Sequence, residues 1–423
     1  MGVEIRPATI NGENHSESVN IGAPAVLGLQ PFALVDHIAK VDWSLLSQIP
    51  GERGGSFPCV YVFNYLVLVA GVGFAALELS LSEVYAVVVV VVVVVVALVV
   101  GWDREVAVEE LKHILNELNA HILPSTDNES LLKTIAGGSV ANTIRGLAAG
   151  FGISSGIIGA CGEDEEGKLF MSNMGLSKVD LSRLRLKNGT TAQCVCLVDE
   201  VGNRTMRPCL SGSVKVQADE LKREDFKGSK WLVLRYAILN VEVIKAAIKI
   251  AKEEGLFVSL DLASFEMVRK FKSPLIELLE SGKIDLCFAN EDEATELLRG
   301  DEKADPDAAL EYLAKHCKWA VVTLAQNGCI AKHEKEFVRV PAIGEAKVTD
   351  ATGAGDLFAS GFLYGLVRGL PLEECCWVGS CSGGSVIRSL GGEVTPENWQ
   401  WMYKQMKTNG LQLPEPSKSS VVT

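Results

Sequence analysis

Short apolar runs rich in β-branched residues alternate with amphipathic segments of helical length from Ala25 onward, and this rhythm limits the architectures open to the chain. The runs AVLGLQ, GISSGIIG, TAQCVCLVD, KWLVLRY, LFVSLDLA, IDLCFAN, WAVVTLA and CIAKHE predict strands. ANTIRGLAAGF, NVEVIKAAIKIAKEEG, SPLIELLESG, EDEATELLRG and DPDAALEYLAKHC predict helices between them. In the second of these helices Val241, Ile244, Ala247, Ile248 and Ala251 form one apolar stripe that stops at Gly255. Apolar strands separated by helices predict a mostly parallel sheet covered on both faces. Such sheets bind ligands beyond the carboxyl ends of their strands.

One region breaks the rhythm. Residues 57–100 carry only two charges, Glu78 and Glu83, and include ten consecutive valines from Val87 to Val96. Ser56–Leu77 and Val84–Trp102 are each long enough to cross a bilayer. Three accounts stand: a translated non-coding segment or gene-model artefact, a membrane hairpin, and a soluble insert. The homopolymer is low-complexity sequence, and Arg53 and Arg104 lie outside the segment rather than orienting it. The segment also separates the first strand from the domain that strand should join. The first account is therefore preferred, and a membrane-associated protein is the alternative to a cytoplasmic one.

The formal charge of −13 argues against sequence-independent nucleic-acid binding, which needs a basic face. The eleven cysteines are scattered through apolar runs without zinc-type spacing, which reads as buried reduced thiols. Residues 1–24 are polar, lack the pattern of a secretory or transit peptide and read as a disordered leader. The expected domain spans 25–405, interrupted by 57–105 and followed by a flexible tail over 406–423.

The chemistry-bearing stretch is VTDATGAGDLFASGFLYGL, residues 348–366. Gly353, Ala354 and Gly355 precede an apolar helix expected to begin near Asp356. Small residues at a helix N-terminus let backbone N–H groups converge on an anion. Asp356 is either the cap of that helix or a base that accepts a proton from an attacking hydroxyl.

DATGAGD closely resembles the second signature of the PfkB, or ribokinase-like, kinases, which reads Asp-Thr-x-Gly-Ala-Gly-Asp; only Ala351 departs from it. The resemblance covers roughly residues 25–56 and 106–405, and looks closest to adenosine-kinase-like members. It implies a three-layer α/β/α sandwich with a mostly parallel central sheet and a small β lid. It also implies a kinase that moves the γ-phosphate of ATP to a primary hydroxyl of a sugar or nucleoside. Asp356 would be the base, and Gly353, Ala354 and Gly355 the anion hole.

AGGSVANTIRGLAAGFG resembles the first signature and offers Gly137, Gly138 and Asn142 to the substrate. Asp36 stands where the family has a sugar-binding Asp, although Gln30 replaces the expected Gly-Asn pattern nearby. FANEDEATELL resembles the motif whose Asn290 and Glu293 organise Mg2+ through water. WAVVTLAQNGCIAKH resembles the ATP turn through Thr323 and Gly328, with Ala325 in place of a glycine. The loop near Gly383 would line the adenine pocket, and Asp350 and Thr352 would offer oxygens to a monovalent cation such as K+.

Asp261 departs from an Asn of many members, and Arg235 from a small residue. Arg235 either neutralises Asp261 and phosphate or is a surface charge at a strand end, the reading preferred. Arg204 and Arg207 follow a strand in the lid region, with turn solvation as the simpler account. The partners implied are a small sugar or nucleoside and no nucleic acid, with the chain a monomer or homodimer. A regulatory member with weak catalysis and a membrane-tethered kinase are the alternatives.

Overall fold

The computed structural model describes residues 23–41, 111, 113–116, 132–210, 212–301, 303–343 and 348–414. The apolar segment 57–105, the leader up to residue 22 and the end of the tail lie outside them.

The chain enters at β1 (Val26–Phe32), which occupies the middle of a nine-stranded sheet. On one side of β1 lie β4 (Ser155–Gly162) and β5 (Leu184–Lys187). On the other lie β8 (Trp231–Arg235), β9 (Phe257–Asp261), β10 (Leu286–Asn290) and β11 (Trp319–Thr323). All of these pair in parallel. The hairpin of β12 (Cys329–His333) and β13 (Glu336–Val340) closes the edge with antiparallel pairs. The chain first extends the sheet from β1 through β4 to β5, then returns to the opposite side at β8. That reversal at β1 is a topological switch point, where crossovers leave to opposite sides and open a crevice.

The strand residues alternate between two apolar layers, as a period of two requires. Val26, Leu286, Phe288 and Val321 face one layer with α1 (Ser139–Phe151), α9 (Ala354–Arg368), α10 (Leu372–Val386) and α11 (Pro396–Thr408). Leu27, Leu29, Cys287, Ala320 and Val322 face the other, with α4 (Val241–Glu253), α6 (Lys272–Glu280), α7 (Glu291–Leu297) and α8 (Pro306–His316). In α4 the buried stripe uses Val243 with Ile244, Ala247, Ile248 and Ala251; Val241, expected in it, is only half-buried at the first turn. Among the helices of the described residues, none is long and apolar enough to cross a membrane.

A second sheet stands over one end of the first. Its order is β3-β2-β6-β7, with β2 (Leu34–Lys40), β3 (Leu132–Gly137), β6 (Ala192–Val198) and β7 (Arg204–Cys209). TAQCVCLVD therefore belongs to this small sheet and not to the parallel one. One face carries Ile38, Ile135, Cys194, Cys196 and Val198. The other carries Ala39, Val41, Val195, Leu197 and Cys209, and Leu111 and Ile114 pack on it. Just before β6, Thr191 is fixed by Asp164, which accepts from the Thr191 N–H at 2.7 Å and its hydroxyl at 2.6 Å. Asp164 also caps α2 (Glu165–Leu176). At the far end of the β6–β7 hairpin, the carbonyl of Gly202 accepts from the N–H of Ala351 at 2.9 Å, so the tip rests on the loop before α9.

Candidate active site

Arg235, Asp261, Asn290 and Thr323 are the last residues of β8, β9, β10 and β11, four neighbouring parallel strands. All four line one cleft at the switch point, together with Gly353, Gly355 and Asp356 from the start of α9 and Arg204 and Met206 from the second sheet. The cleft measures about 700 Å³ including the solvent at its mouth, within the range of small-molecule sites.

Gly353 is the N-cap of α9 with φ of 80°, a left-handed conformation that favours glycine. The helix begins at Ala354, two residues before the expected start. Asp356 is its third residue and makes no cap bond. Its carboxylate instead turns toward α1, accepting from the Ser139 hydroxyl and from Asn142 Nδ2 at 2.9 Å. The backbone N–H groups of Gly355 and Asp356 lie in the first turn, where no carbonyl of a preceding turn serves them. Ala354 is partly engaged, its N–H reaching the Ala351 carbonyl at 3.3 Å. Of the predicted three-residue cradle, Gly353 and Gly355 line the cleft.

Packing fixes α9 in this position. Phe288 in the middle of β10 meets Phe358 and Phe362 edge-on, with ring centroids 6.4 and 5.5 Å away. The Asp356 carbonyl accepts from the hydroxyls of Thr143 (3.2 Å) and Ser360 (3.0 Å), pinning the first turn of α9 to α1.

The side of the cleft toward the small sheet is built around Asp36. This residue is 1 % exposed, and its Oδ1 is buried without a hydrogen-bond partner. Burial pushes its carboxyl up to about 7, with Arg145 opposing and Asp356 adding to the shift. Gly137 pairs with Leu34 and lies against the Asp36 carboxylate; a Cβ there would sit 2.0 Å from it. Gly138, at φ of 93°, is the N-cap of α1. Gln30 does the work of the cap: its Oε1 accepts from Ala141 N–H at 3.0 Å and its Nε2 donates to the Gly137 carbonyl at 3.1 Å. Asn142, expected to meet the substrate, also lines the cleft, yet both ends of its amide are committed. Nδ2 donates to Asp356, and Oδ1 accepts from the buried Arg145 guanidinium at 2.7 Å. Arg145 also donates to the carbonyls of Ala136 (3.0 Å) and Gly392 (3.1 Å).

The opposite side is more acidic. Asn290 and Glu293 form a capping box at the start of α7: the Asn290 side chain accepts from the Glu293 N–H, and Glu293 accepts from the Asn290 N–H. Glu293 accepts in addition from Asn290 Nδ2 at 2.8 Å. The helix-start reading and the site reading of this motif therefore coexist. Burial, with Asp261 nearby, pushes the Glu293 carboxyl up to about 8. Burial also pushes Asp261 up to about 6, with Arg235 opposing. Arg235 sits 3.9 Å from Asp261 Oδ1 and donates to the Ala263 carbonyl at 2.5 Å. It is not a surface charge, because the strand end that carries it opens into the cleft. Arg204 and Arg207 also depart from expectation. Both lie within β7; Arg204 lines the cleft and Arg207 is buried, so neither is a solvated turn residue.

The turn after β11 keeps its shape without the expected first glycine. Ala325 adopts φ of 48°, and Gly328 φ of 86°. A Cβ on Gly328 would fall 1.9 Å from the Val340 carbonyl, so glycine is required there by close backbone approach. One expectation does not fit. Gly383 is not on a loop but within α10, buried, where a Cβ would meet the Ala354 carbonyl at 3.0 Å. It packs α10 against the start of α9. Asp350 is fully buried: its Oδ1 accepts from the Thr352 N–H and hydroxyl, and its Oδ2 accepts from the N–H of Gly391, beyond α10, at 2.7 Å. No step is assigned to a monovalent cation. Ser139 and Arg145 were not singled out from the sequence. Their spacing with Asn142, three residues on either side in one helix, was the available signal.

The model of the pfkB family carbohydrate kinases matches residues 106–399, more than half of the chain. The chain belongs to the PfkB family of carbohydrate kinases. It is a phosphotransferase acting on a hydroxyl group. Fructoselysine 6-kinase of Escherichia coli (strain K12) is 29 % identical over 265 residues, covering 62 % of this chain and 93 % of that protein. A probable fructokinase-7 of Arabidopsis thaliana is 30 % identical over 288 residues, covering 62 % and 81 %. Among solved structures, the adenosine kinase of Sinorhizobium meliloti superposes with a TM-score of 0.67 at 26 % identity, covering 89 % of this chain and 98 % of that one. The family match begins at residue 106, but β1 and β2 lie before it and complete both sheets of this PfkB kinase.

Proposed function

We propose that this kinase phosphorylates a primary hydroxyl of a sugar or nucleoside, with Asp356 as the base. The observation that carries this reading is the position of the Asp356 carboxylate. It is held by Ser139 and Asn142 beside the unserved N–H groups at the start of α9. A fixed carboxylate next to an anion-binding helix end can take the acceptor's proton while the transferred phosphoryl group rests on the N–H groups.

Asp36 accepts hydrogen bonds from acceptor hydroxyls, which supply the partner its buried Oδ1 lacks. Asn142 holds Asp356 rather than the acceptor, and Arg145 fixes which end of the Asn142 amide faces the base. Gly137 and Gly138 let the backbone approach the acceptor beside Asp36. Thr323 and Gly328 form the nucleotide side.

Kinases of this family use ATP with a divalent metal. The side chains present fit Mg2+ held through water: buried Glu293 and half-buried Asp261 and Asn290 bring oxygen atoms to the cleft. Bound there, Mg2+ supplies charge neutralisation for the phosphates. Arg204 and Arg235 add fixed positive charge on the same side. The lid, resting through Gly202 on the loop before α9, excludes water that would otherwise hydrolyse ATP.

The test is ADP release with Mg-ATP across a panel of sugars and nucleosides. Turnover with one acceptor, reduced about 10²–10⁴-fold in Asp356→Asn with folding intact, supports the reading. Near-normal turnover in that variant removes Asp356 from the role of base. ATP binding without turnover on every acceptor favours a regulatory member.

A further inference from the structure

The inner face of the lid carries, beside Asp36, two cysteines that the phosphoryl transfer does not use. Asp36 on β2 pairs with Cys194 on β6 in parallel register, and Cys196 follows two residues later on the same face. The carboxylate and the two sulfurs lie within 4.8 Å of one another and all are buried. The Cys196 thiol donates to Cys194 Sγ at 3.8 Å. A tetrahedral zinc with Zn–S bonds of about 2.3 Å holds its sulfurs about 3.8 Å apart, the same separation. Met206, across from Cys196 on β7, adds a thioether to the same face. Asp36 supplies the second observation: a buried oxygen with no hydrogen-bond partner, on a residue that lines the cleft.

We propose that Asp36, Cys194 and Cys196 form a site for a thiophilic divalent metal, of the zinc class, that competes with the acceptor. Three protein ligands leave a fourth position for water. On binding, both thiols lose their protons to solvent and two metal–sulfur bonds and one metal–oxygen bond form. No electrons are transferred. The metal then holds the carboxylate that would receive acceptor hydroxyls, so acceptor and metal exclude each other. The competition rests on the reading of Asp36 as the acceptor ligand; the binding does not.

The experiment uses the full-length chain, reduced and metal-free, with Co2+ as the spectroscopic probe and Zn2+ as the inhibitor. Without nucleotide, one equivalent of Co2+ is expected to give thiolate-to-cobalt absorption in the near ultraviolet. Excess acceptor should weaken that binding, and Zn2+ should raise the acceptor KM at least about tenfold with the KM for ATP unchanged, the size expected if metal and acceptor cannot share Asp36. The double variant Cys194→Ser/Cys196→Ser should lose the band and the zinc sensitivity while keeping turnover. Cys196→Ala alone, checked by an unchanged unfolding midpoint, guards against a folding defect in the double variant. Absence of the band overturns the site. Its persistence in the double variant also overturns it and directs attention to another thiol pair, such as Cys287 with Cys317. A band that depends on both cysteines but is indifferent to acceptor leaves the metal site standing and removes Asp36 from acceptor binding.

Discussion

The two sides of the cleft are organised by different means. On the side that we propose takes the acceptor, opposite the proposed nucleotide side, side chains hold one another: Arg145 orients Asn142, Asn142 and Ser139 hold Asp356, and Gln30 secures the turn that brings Gly137 against Asp36. On the nucleotide side, backbone shape dominates. The turn after β11 depends on left-handed conformations at Ala325 and Gly328, and Asn290 and Glu293 occupy a helix cap. Geometry is thus fixed in advance around Asp356, which we propose as the base, while Glu293 and Asp261 keep raised carboxyls where we propose that Mg2+ binds.

This contrast is most directly broken by exchanging small residues. Gly137→Ala drives a methyl group into Asp36, and Gly328→Ala drives one into the Val340 carbonyl. Overpacking of this kind costs about 1–3 kcal/mol, or roughly 5- to 150-fold. The first variant is expected to raise the acceptor KM and the second the KM for ATP, each leaving the other within about twofold. Equal effects on both constants in either variant would show that the two sides are not separable.

The relay behind Asp356 gives a second test of comparable size. Asn142→Ala removes a hydrogen bond to a charged carboxylate, and Arg145→Met frees the Asn142 amide to turn. A loss of about 1.5–3 kcal/mol, roughly 10- to 150-fold, should appear in kcat with acceptor KM little changed. A change confined to KM would reassign Asn142 to direct acceptor binding.

Protonation sharpens the comparison further. Asp36, Asp261 and Glu293 have carboxyls raised to about 7, 6 and 8 from ordinary values of 3.8, 3.8 and 4.5. Between the ordinary and raised values the folded chain binds more protons than the unfolded one. Stability of the ligand-free protein therefore falls as pH rises from about 4 to 8. Thermal unfolding followed across that range should show a declining midpoint, shallower in Asp36→Asn. Acceptor affinity should move the other way, improving as Asp36 ionises through about pH 7. Added Mg2+ should offset the decline through Glu293 and Asp261 but not through Asp36.

The smallest effect is expected at the lid tip. Gly202 has φ of 85°, and Gly202→Ala should cost about 1 kcal/mol of stability from the left-handed backbone. Neither KM should shift strongly, and unfolding in denaturant measures the loss.

Legibility in the sequence followed the same division. The strands of the central sheet that are buried on both faces, such as WLVLR, LCFAN and WAVVT, stand out as apolar runs. The lid strands β2, β3 and β7 do not, because Asp36, His37, Lys133, Arg204 and Arg207 interrupt them; these strands serve a binding face as well as a core. Asp356, Asn290 and Glu293 were legible because their motifs are local. Arg235 was misread because a charge at a strand end looks the same in sequence whether the strand meets solvent or a cleft.

The sequence by itself determined the layered α/β architecture, through hydrophobic period, and the glycine-rich helix start, through residues adjacent in the chain. Only the tertiary structure decided what depends on distant residues meeting. It turned Asp356 from a possible cap into a carboxylate held by α1, and bonded Asn142, expected at the substrate, to that carboxylate. It moved Gly383 from a binding loop to a helix–helix contact and tied the Asp350 carboxylate to both Thr352 and the distant Gly391. It also joined Asp36 to two cysteines more than 150 residues away in the chain. The physical reason is that hydrogen bonding and burial are satisfied in space, and neighbours in space are set by sheet order and helix packing rather than by position along the chain.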